Sequence, residues 1–387
     1  MDFIRILQLN LPSGQSAFLW GARKTGKTTY LREKFPDSLW FDFLKTDTYM
    51  EYLKTPSLFR ERILALNGIG QKLPIIMDEV QKVPYILNEV HWLIENKGLS
   101  FVLCGSSARK LKRGHANLLG GRAWRYEMVP LTTREIGEYS LLKVLNQGLI
   151  PSHYTAPEEH YRKSLKAYVT DYLKEEVFEE GIVRNVQAFS RFFDALAYCQ
   201  GELINYSNVA RDCGVDAKTV REYFHIMEDT LIGTMLLPFI KRKSRDLITQ
   251  TPKFYLFDVG VSGYIAGRIV PEEKGEQFGR ALEHFIFMEL KAYSRYCEKD
   301  FEISYWRTKT GLEVDFVLGP GAVCVEVKGT DSVKPGDLKG IKAFSEDYKP
   351  KMAIVVCNEK EPRLSGGVNI MPWKVFLERL WSGNVIR

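Results

Sequence analysis

The residues with the clearest chemical potential lie between Gly21 and Thr28, in the order Gly-Ala-Arg-Lys-Thr-Gly-Lys-Thr. This string matches G-x-x-x-x-G-K-[ST], in which the glycines allow a tight loop, the lysine contacts the β- and γ-phosphates of a nucleotide and the last hydroxyl binds Mg²⁺. The alternative is a strand-to-helix turn that matches by chance. The string predicts a nucleotide-binding set: Gly21, Thr25, Gly26, Lys27, Thr28 and Thr29.

Two carboxylates, Asp78 and Glu79, directly follow an apolar run at residues 73–77. In nucleotide hydrolases an aspartate at the end of such a strand holds Mg²⁺, and the neighbouring carboxylate orients the attacking water. We therefore predict that Asp78 binds the metal and that Glu79 is catalytic. The alternative is that both are solvated residues at a strand end or a helix cap.

Two further positions extend this predicted site. Ser106 follows another apolar run, at residues 100–104, and its hydroxyl is a candidate phosphate sensor. Arg122 follows two glycines and is a candidate catalytic arginine, acting within one chain or across a subunit interface, where such a residue raises the rate by roughly 10³ to 10⁵. The alternative for Arg122 is an ordinary surface arginine.

A second group of candidate residues lies near the end of the chain. Glu326 and Lys328 are two residues apart on a predicted strand, so both side chains face the same side. Asp315 on the preceding strand and Glu283 on an earlier helix supply further carboxylates, which suit Mg²⁺ or Mn²⁺. Lys328 would then polarise or deprotonate the attacking water. The alternative is a salt-bridge cluster in which Lys328 pairs with Glu326.

The elements that position the first site alternate between strands and helices. Short apolar runs at residues 17–20, 38–43, 73–79, 100–104 and 124–131 are predicted strands. Helical spacing follows at residues 28–35 and 53–66, and again from residue 131 to a loop near residue 148. An α/β fold with a parallel sheet is therefore expected for this part of the chain.

The later elements are of two kinds. Residues 161–180 are predicted to be helical, and residues 207–213 and 217–231 form a helix-turn-helix pattern with Asp216 as a cap. The basic run 241–245 and residues 254–258 would form the tip and the return strand of a wing, which suits DNA phosphates. A lid or a protein-contact module is the alternative. Beyond them come a helix at residues 280–290, three strands, a helix at residues 337–348 and a strand at residues 352–357.

Residues 21–28, 75–79, 104–107 and 121–122 together resemble a prokaryotic AAA+-like P-loop ATPase family. In that family a winged-helix-like module and a C-terminal PD-(D/E)xK, or restriction-endonuclease-like, domain follow the ATPase domain. The resemblance implies an ATPase domain at 1–138, a helical lid and winged-helix-like module at 139–260, and a nuclease-like domain at 261–387. It also implies ATP rather than GTP as the nucleotide.

Composition says less about the class of protein than the motifs do. The chain has 387 residues, 45% of them hydrophobic, and a net charge of +6, which permits contact with nucleic acid without requiring it. Its six cysteines are widely spaced, so a cytoplasmic protein with reduced thiols is expected. No run approaches the roughly 18 apolar residues of a membrane span, and no membrane association is predicted.

These patterns predict an ATP- and Mg²⁺-dependent hydrolase with two possible uses. One is ATP-regulated DNA processing by a metal-dependent nuclease domain. The other is an ATP-dependent switch or scaffold, or a DNA-translocating motor, whose nuclease-like domain binds without cutting. DNA is the expected partner in the first case, and a homo-oligomer is a possible assembly in either.

Overall fold

The computed structural model describes residues 3–66, 73–107, 119–173, 185–240 and 251–386. The chain forms two compact units. The N-terminal unit comprises Arg5–Pro130 and Asp229–Ile232, and the C-terminal unit comprises Met1–Ile4, Leu131–Glu228 and Gly233–Arg387. None of the helices in the described part of the chain is long and apolar enough to cross a membrane. The predicted division into three domains stays a prediction.

The N-terminal unit is built on a five-stranded sheet in which every strand pair is parallel. Its strands are β1 (Ser16–Trp20), β2 (Trp40–Asp42), β3 (Ile75–Asp78), β4 (Phe101–Gly105) and β5 (Ala123–Glu127), in the spatial order β2-β3-β4-β1-β5. Strands β1, β3 and β4 are buried along their whole length, which explains their unbroken apolar sequences. Because these three strands are neighbours and parallel, their carboxyl ends meet at one edge of the sheet.

The helices of this unit are α1 (Lys27–Lys34), α2 (Thr46–Lys54), α3 (Ser57–Ala65) and α4 (Ile86–Lys97). The sequence predicted one helix over residues 53–66, and this prediction is wrong at its start. Thr55 has a non-helical backbone with φ −138° and ψ 77°, and α3 begins after Pro56. The proline ring disfavours a helical conformation at the residue before it, so two helices form where one was expected.

The first part of the C-terminal unit is helical. Its helices are α5 (Thr133–Ile136), α6 (Leu141–Gln147), α7 (Pro151–Tyr154), α8 (Tyr161–Ala167), α9 (Val186–Ala195), α10 (Tyr206–Cys213), α11 (Ala217–Asp229) and α12 (Val259–Ile265). The single long helix expected after residue 131 is divided at Gly137, whose φ of 66° is incompatible with a continuous helix. Helix α8 continues as a π-helix, Tyr168–Leu173, and the rest of the predicted helix, from residue 174, lies outside the described residues.

The helix-turn-helix pattern is realised by α10 and α11. Asp216 accepts a hydrogen bond from the backbone N–H of Thr219 at 2.7 Å, as expected of a cap. An antiparallel pair follows, formed by β6 (Gly233–Leu236) and β7 (Lys253–Leu256). The basic run predicted to form the tip of a wing, residues 241–245, lies outside the described residues.

The rest of the C-terminal unit contains a six-stranded mixed sheet with the order β12-β13-β11-β10-β9-β8. Its elements are α13 (Gly275–Tyr296), β8 (Ile303–Arg307), β9 (Glu313–Leu318), β10 (Val323–Val327), α14 (Lys339–Tyr348), β11 (Met352–Cys357), β12 (Arg363–Ser365), β13 (Val368–Pro372) and α15 (Trp373–Trp381). The elements up to β11 follow the predicted order of helix, three strands, helix and strand. The last three were not predicted.

Candidate functional site

The loop between β1 and α1 has a conformation that requires its two motif glycines. A Cβ on Gly21 would lie 2.3 Å from the carbonyl oxygen of Met128, which is closer than any side chain can approach. Gly26 has φ 96°, in the left-handed region, and immediately precedes α1. Helix α1 therefore begins at the loop and presents its unpaired N–H groups there, as an anion site requires.

The polar side chains of the loop differ in burial: Lys27 and Thr25 are buried, whereas Thr29 is exposed. Lys27 is buried, and its Nζ donates to the carbonyl oxygens of Gly21 at 2.7 Å and Ala22 at 3.0 Å. Thr25 is also buried and donates from Oγ1 to the same Ala22 carbonyl at 2.8 Å, so this side chain closes the loop. Thr29 is exposed on α1. The structure thus brings Lys27 into the concave side of the loop.

Thr28 and Asp78 lie together, although they are fifty positions apart in the chain. Thr28 Oγ1 donates to Asp78 Oδ2 at 2.7 Å. A hydroxyl and a carboxylate are hard oxygen donors of the kind that Mg²⁺ prefers, so these two side chains fit the metal predicted for them. The buried Cys104 thiol is close by, and its pKa is raised by burial and then by the charge of Asp78. This cysteine is therefore a neutral neighbour of the carboxylate.

Glu79 is held by a residue that the sequence analysis did not single out. Gln81 Nε2 donates to Glu79 Oε2 at 2.6 Å and to Ser106 Oγ at 3.1 Å, so it links the two predicted residues. All three are buried, and Glu79 has the left-handed φ of 57°. A Cβ on Gly105 would lie 2.2 Å from Gln81 Oε1, which shows how tightly the glutamine is packed.

Arg122 is paired at the surface. Its guanidinium donates from Nε to Glu95 Oε1, and both side chains are substantially exposed. The ion pair lowers the pKa of Glu95, chiefly through the hydrogen bond from Arg122. In this arrangement Arg122 behaves as the surface arginine of the alternative interpretation. Its assignment as a catalytic arginine stays a prediction.

Two of the acidic residues predicted in the C-terminal unit, Glu283 and Asp315, lie beside a buried lysine that was not predicted. Lys253, on β7, is 4% exposed, and its Nζ lies 3.7 Å from Glu283 Oε1 and 3.9 Å from Asp315 Oδ1. It also forms an ion pair with Glu313. Burial lowers the pKa of Lys253, but the combined attraction of these three carboxylates outweighs burial and raises the pKa above its usual value. The Lys253 side chain is therefore a buried, positively charged ammonium group that lies between these carboxylates.

The pKa values of the carboxyl groups reflect the same crowding. Burial, followed by repulsion from Glu283, raises the pKa of Asp315 to about 7. Burial, followed by repulsion from Asp315, raises the pKa of Glu326 to about 8. The pKa of Glu283 is raised by burial, and Glu283 Oε1 accepts a hydrogen bond from the Tyr255 hydroxyl at 2.5 Å. Each group is thus easier to protonate than an exposed carboxylate.

Glu326 and Lys328 do meet, as their spacing predicted. Lys328 Nζ donates to Glu326 Oε1 at 2.6 Å, and Asp315 Oδ2 accepts the backbone N–H of Val327 at 2.8 Å. Within the described ranges, however, no group of three or more His, Cys, Asp or Glu side chains is arranged to hold a metal ion. Lys253 supplies positive charge beside Glu283 and Asp315, and the assignment of Glu283, Asp315 and Glu326 as a divalent-ion site stays a prediction.

Known families match three successive parts of the chain. Residues 13–137 match the family described as an AAA domain, residues 138–270 match a domain of unknown function (DUF8612), and residues 278–376 match a domain of unknown function (DUF4143).

The curated relatives are uncharacterized proteins of bacteria and an archaeon. A protein of Mycobacterium tuberculosis is 25% identical over 368 residues, which is 92% of this chain and 79% of the relative. A protein of Methanocaldococcus jannaschii is 22% identical over 377 residues, which is 89% of this chain and 82% of the relative. Together with the parallel sheet, these matches show that the chain carries an AAA-type P-loop ATPase domain at its N-terminal end and a DUF4143 domain towards its C-terminal end.

Proposed function

We propose that the chain binds and hydrolyses ATP at the loop between β1 and α1. The observation that carries this proposal is the meeting of three strand ends at one place: Lys27 in the loop, Thr28 against Asp78, and Glu79 linked through Gln81 to Ser106. Charges and dipoles fixed before the reaction are the main source of catalysis in phosphoryl transfer. The charged and polar side chains of this site are already held in place by hydrogen bonds.

Each side chain has a role that follows from its chemistry. Lys27 would exchange its two carbonyl partners for β- and γ-phosphate oxygens, which are stronger acceptors. Thr28 and Asp78 would hold Mg²⁺, which neutralises phosphate charge when it is bound. Glu79 would accept a hydrogen bond from the attacking water, and Ser106 would contact the terminal phosphate.

The test is to measure nucleotide binding by calorimetry and turnover by phosphate release. We expect Lys27→Ala to lose binding and Glu79→Gln to bind ATP without turnover. Lys24→Gln is the matched control, because Lys24 lies in the same loop but is exposed. Unchanged ATPase activity in both the Lys27 and the Glu79 variants would refute the assignment.

For the C-terminal unit we propose a binding or switching role without cleavage. The supporting observation is the Lys253 ammonium among Glu283, Glu313 and Asp315, which satisfies these carboxylates without a metal. The competing proposal is an ATP-regulated, Mg²⁺- or Mn²⁺-dependent DNA nuclease centred on Asp315, Glu326 and Lys328, with help from Glu283. DNA contact through the winged-helix-like module is compatible with both proposals.

A DNA cleavage assay distinguishes the two proposals. Supercoiled, linear, single-stranded and branched DNA are incubated with Mg²⁺ or Mn²⁺, with and without ATP. We expect no cleavage of any of these substrates. Cleavage by the wild-type protein that is lost in Asp315→Ala and Lys328→Ala would establish the nuclease instead.

A further inference from the structure

An arginine from the segment before the first strand contacts the phosphate loop. Arg5 Nη1 donates to the carbonyl oxygen of Thr25 at 2.5 Å, inside the loop. Its Nη2 donates to the carbonyl oxygens of Val129 at 2.8 Å and Pro130 at 3.4 Å, just beyond β5. A single planar guanidinium therefore joins the loop to the chain that leaves the edge of the sheet.

The segment that carries Arg5 is fixed on helix α1. The Tyr30 hydroxyl donates to the carbonyl oxygen of Leu7 at 2.9 Å and accepts the backbone N–H of Leu9 at 3.2 Å. Leu7 and Leu9 are both buried. Burial raises the pKa of Tyr30 to about 12, so the hydroxyl keeps its proton at neutral pH. The segment that carries Arg5 is thus attached to α1, the helix that begins at Lys27.

The contact with Thr25 has a consequence for the next residue. The peptide bond between Thr25 and Gly26 is planar and trans, so its C=O and N–H groups point in opposite directions. A guanidinium that fixes the Thr25 carbonyl therefore also fixes the direction of the Gly26 N–H. This restraint matters at Gly26 because glycine has no Cβ to limit its backbone, and the nearest atom to a Cβ built there is Arg5 Nη1, at 3.5 Å.

We propose that Arg5 is a positioning residue of the nucleotide site. By holding the Thr25 carbonyl, it orients the Gly26 N–H as a donor for a phosphate oxygen, and it does so before the nucleotide arrives. Preorganisation of this kind increases affinity because the loop loses less conformational freedom on binding. Arg5 itself does not touch the nucleotide. The inference rests on the proposed ATP site, but it can fail while that site stands.

The test compares Arg5→Met, which keeps the length of the side chain and removes its donors, with the wild-type protein and with Gln8→Met, an exposed position on the same segment. We expect Arg5→Met to raise the KM for ATP and the Kd for inorganic pyrophosphate about tenfold, the value of one hydrogen bond to a charged group. We expect kcat to change less than twofold, because Glu79 and Gln81 are unaffected. Added methylguanidinium should restore the affinity of Arg5→Ala.

An unchanged KM and Kd in Arg5→Met, while Lys27→Ala loses binding, would overturn the role of Arg5 and leave the ATP site intact. A lower kcat with the wild-type KM would overturn it as well. If the methionine variant does not fold, Arg5→Lys replaces it, because lysine keeps the charge and loses the fork that reaches both carbonyls. The same rise in KM is then expected, and a wild-type KM refutes the proposal.

Discussion

Gln81 is a hydrogen-bond partner of the predicted catalytic carboxylate, Glu79. Its amide donates to Glu79 at 2.6 Å, and the Glu79 backbone is in an uncommon left-handed conformation. We expect Gln81→Met, which keeps the volume and removes both hydrogen bonds, to lower kcat about tenfold, or about 1.4 kcal/mol in activation free energy. Nucleotide affinity should stay within twofold of the wild-type value, because Lys27 and Thr28 are not affected.

Phosphate-release kinetics and calorimetric binding of a non-hydrolysable ATP analogue measure these two quantities. Lys82→Met, at the next position in the chain, is the control and should keep the wild-type kcat. A Gln81→Met protein that turns over at the wild-type rate would show that Glu79 does not need this partner.

Lys253 should be essential for the stability of the C-terminal unit. Removal of one partner of a buried ion pair leaves uncompensated charge and typically costs about 3 to 5 kcal/mol. We therefore expect Lys253→Met to lower the free energy of unfolding by about that amount, measured by urea denaturation. Lys309→Met, at an exposed position of the same unit, should change it by less than about 0.5 kcal/mol. Equal stability of the two variants would mean that the carboxylates are neutralised in another way.

The residues of the proposed sites divide into those that the sequence could predict and those that it could not. Lys27, Thr28, Asp78 and Glu79 were predictable because a motif and a strand end place them by local geometry. Gln81, Arg5 and Lys253 belong to no such motif, and the roles proposed for them rest on contacts made in the folded chain. Arg5 reaches Val129 across more than a hundred residues, and Lys253 reaches Glu313 from another sheet.

At the scale of elements, Glu289 joins α13 to α5 and α15. It is buried, and its carboxylate accepts hydrogen bonds from the Thr133 N–H at 2.9 Å, the Thr133 hydroxyl at 2.8 Å and Trp381 Nε1 at 2.6 Å. Burial nevertheless raises the pKa of Glu289 to about 7, and the nearby Glu135 adds to the rise. The carboxyl group therefore binds its proton more tightly in the folded chain than in the unfolded one.

This difference makes stability depend on pH in a definite direction. Between about pH 4.5 and pH 7 the folded chain keeps the Glu289 proton and the unfolded chain loses it, so raising the pH lowers the free energy of unfolding, by up to about 3 kcal/mol from this group. We expect Glu289→Gln, compared with the exposed Glu298→Gln, to reduce this slope in urea denaturation at several pH values. A slope identical to that of the wild-type protein would contradict the assigned pKa.

The elements themselves were predictable where apolar runs are long and end at clear breaks. The strands β1, β3, β4, β9 and β11 follow their apolar sequences closely. The errors came from single residues that end helices, as at Pro56 and Gly137, because helical spacing continued on both sides of each break. The elements β12, β13 and α15 were missed, and of these β12 has only three residues and contains the exposed Leu364.

At the scale of the whole molecule, each compact unit has a hydrophobic core of its own. Phe18, Phe59 and Phe101 belong to the core of the N-terminal unit, whereas Phe285 and Phe316 belong to a core of the C-terminal unit. A chain with separate cores is not expected to unfold in a single two-state step. The effects of nucleotide and of mutations should therefore be assigned to one unit at a time.

Differential scanning calorimetry can make this assignment. A ligand that binds only the folded state stabilises it by about 2.7 kcal/mol at a hundred times its Kd. Because Lys27 and Asp78 lie in the N-terminal unit, we expect a non-hydrolysable ATP analogue with Mg²⁺ to raise one transition and to leave a second in place. Lys253→Met should lower that second transition, and Lys27→Ala should abolish the shift that the nucleotide causes. A single transition that responds equally to the nucleotide and to Lys253→Met would show instead that the two cores unfold together.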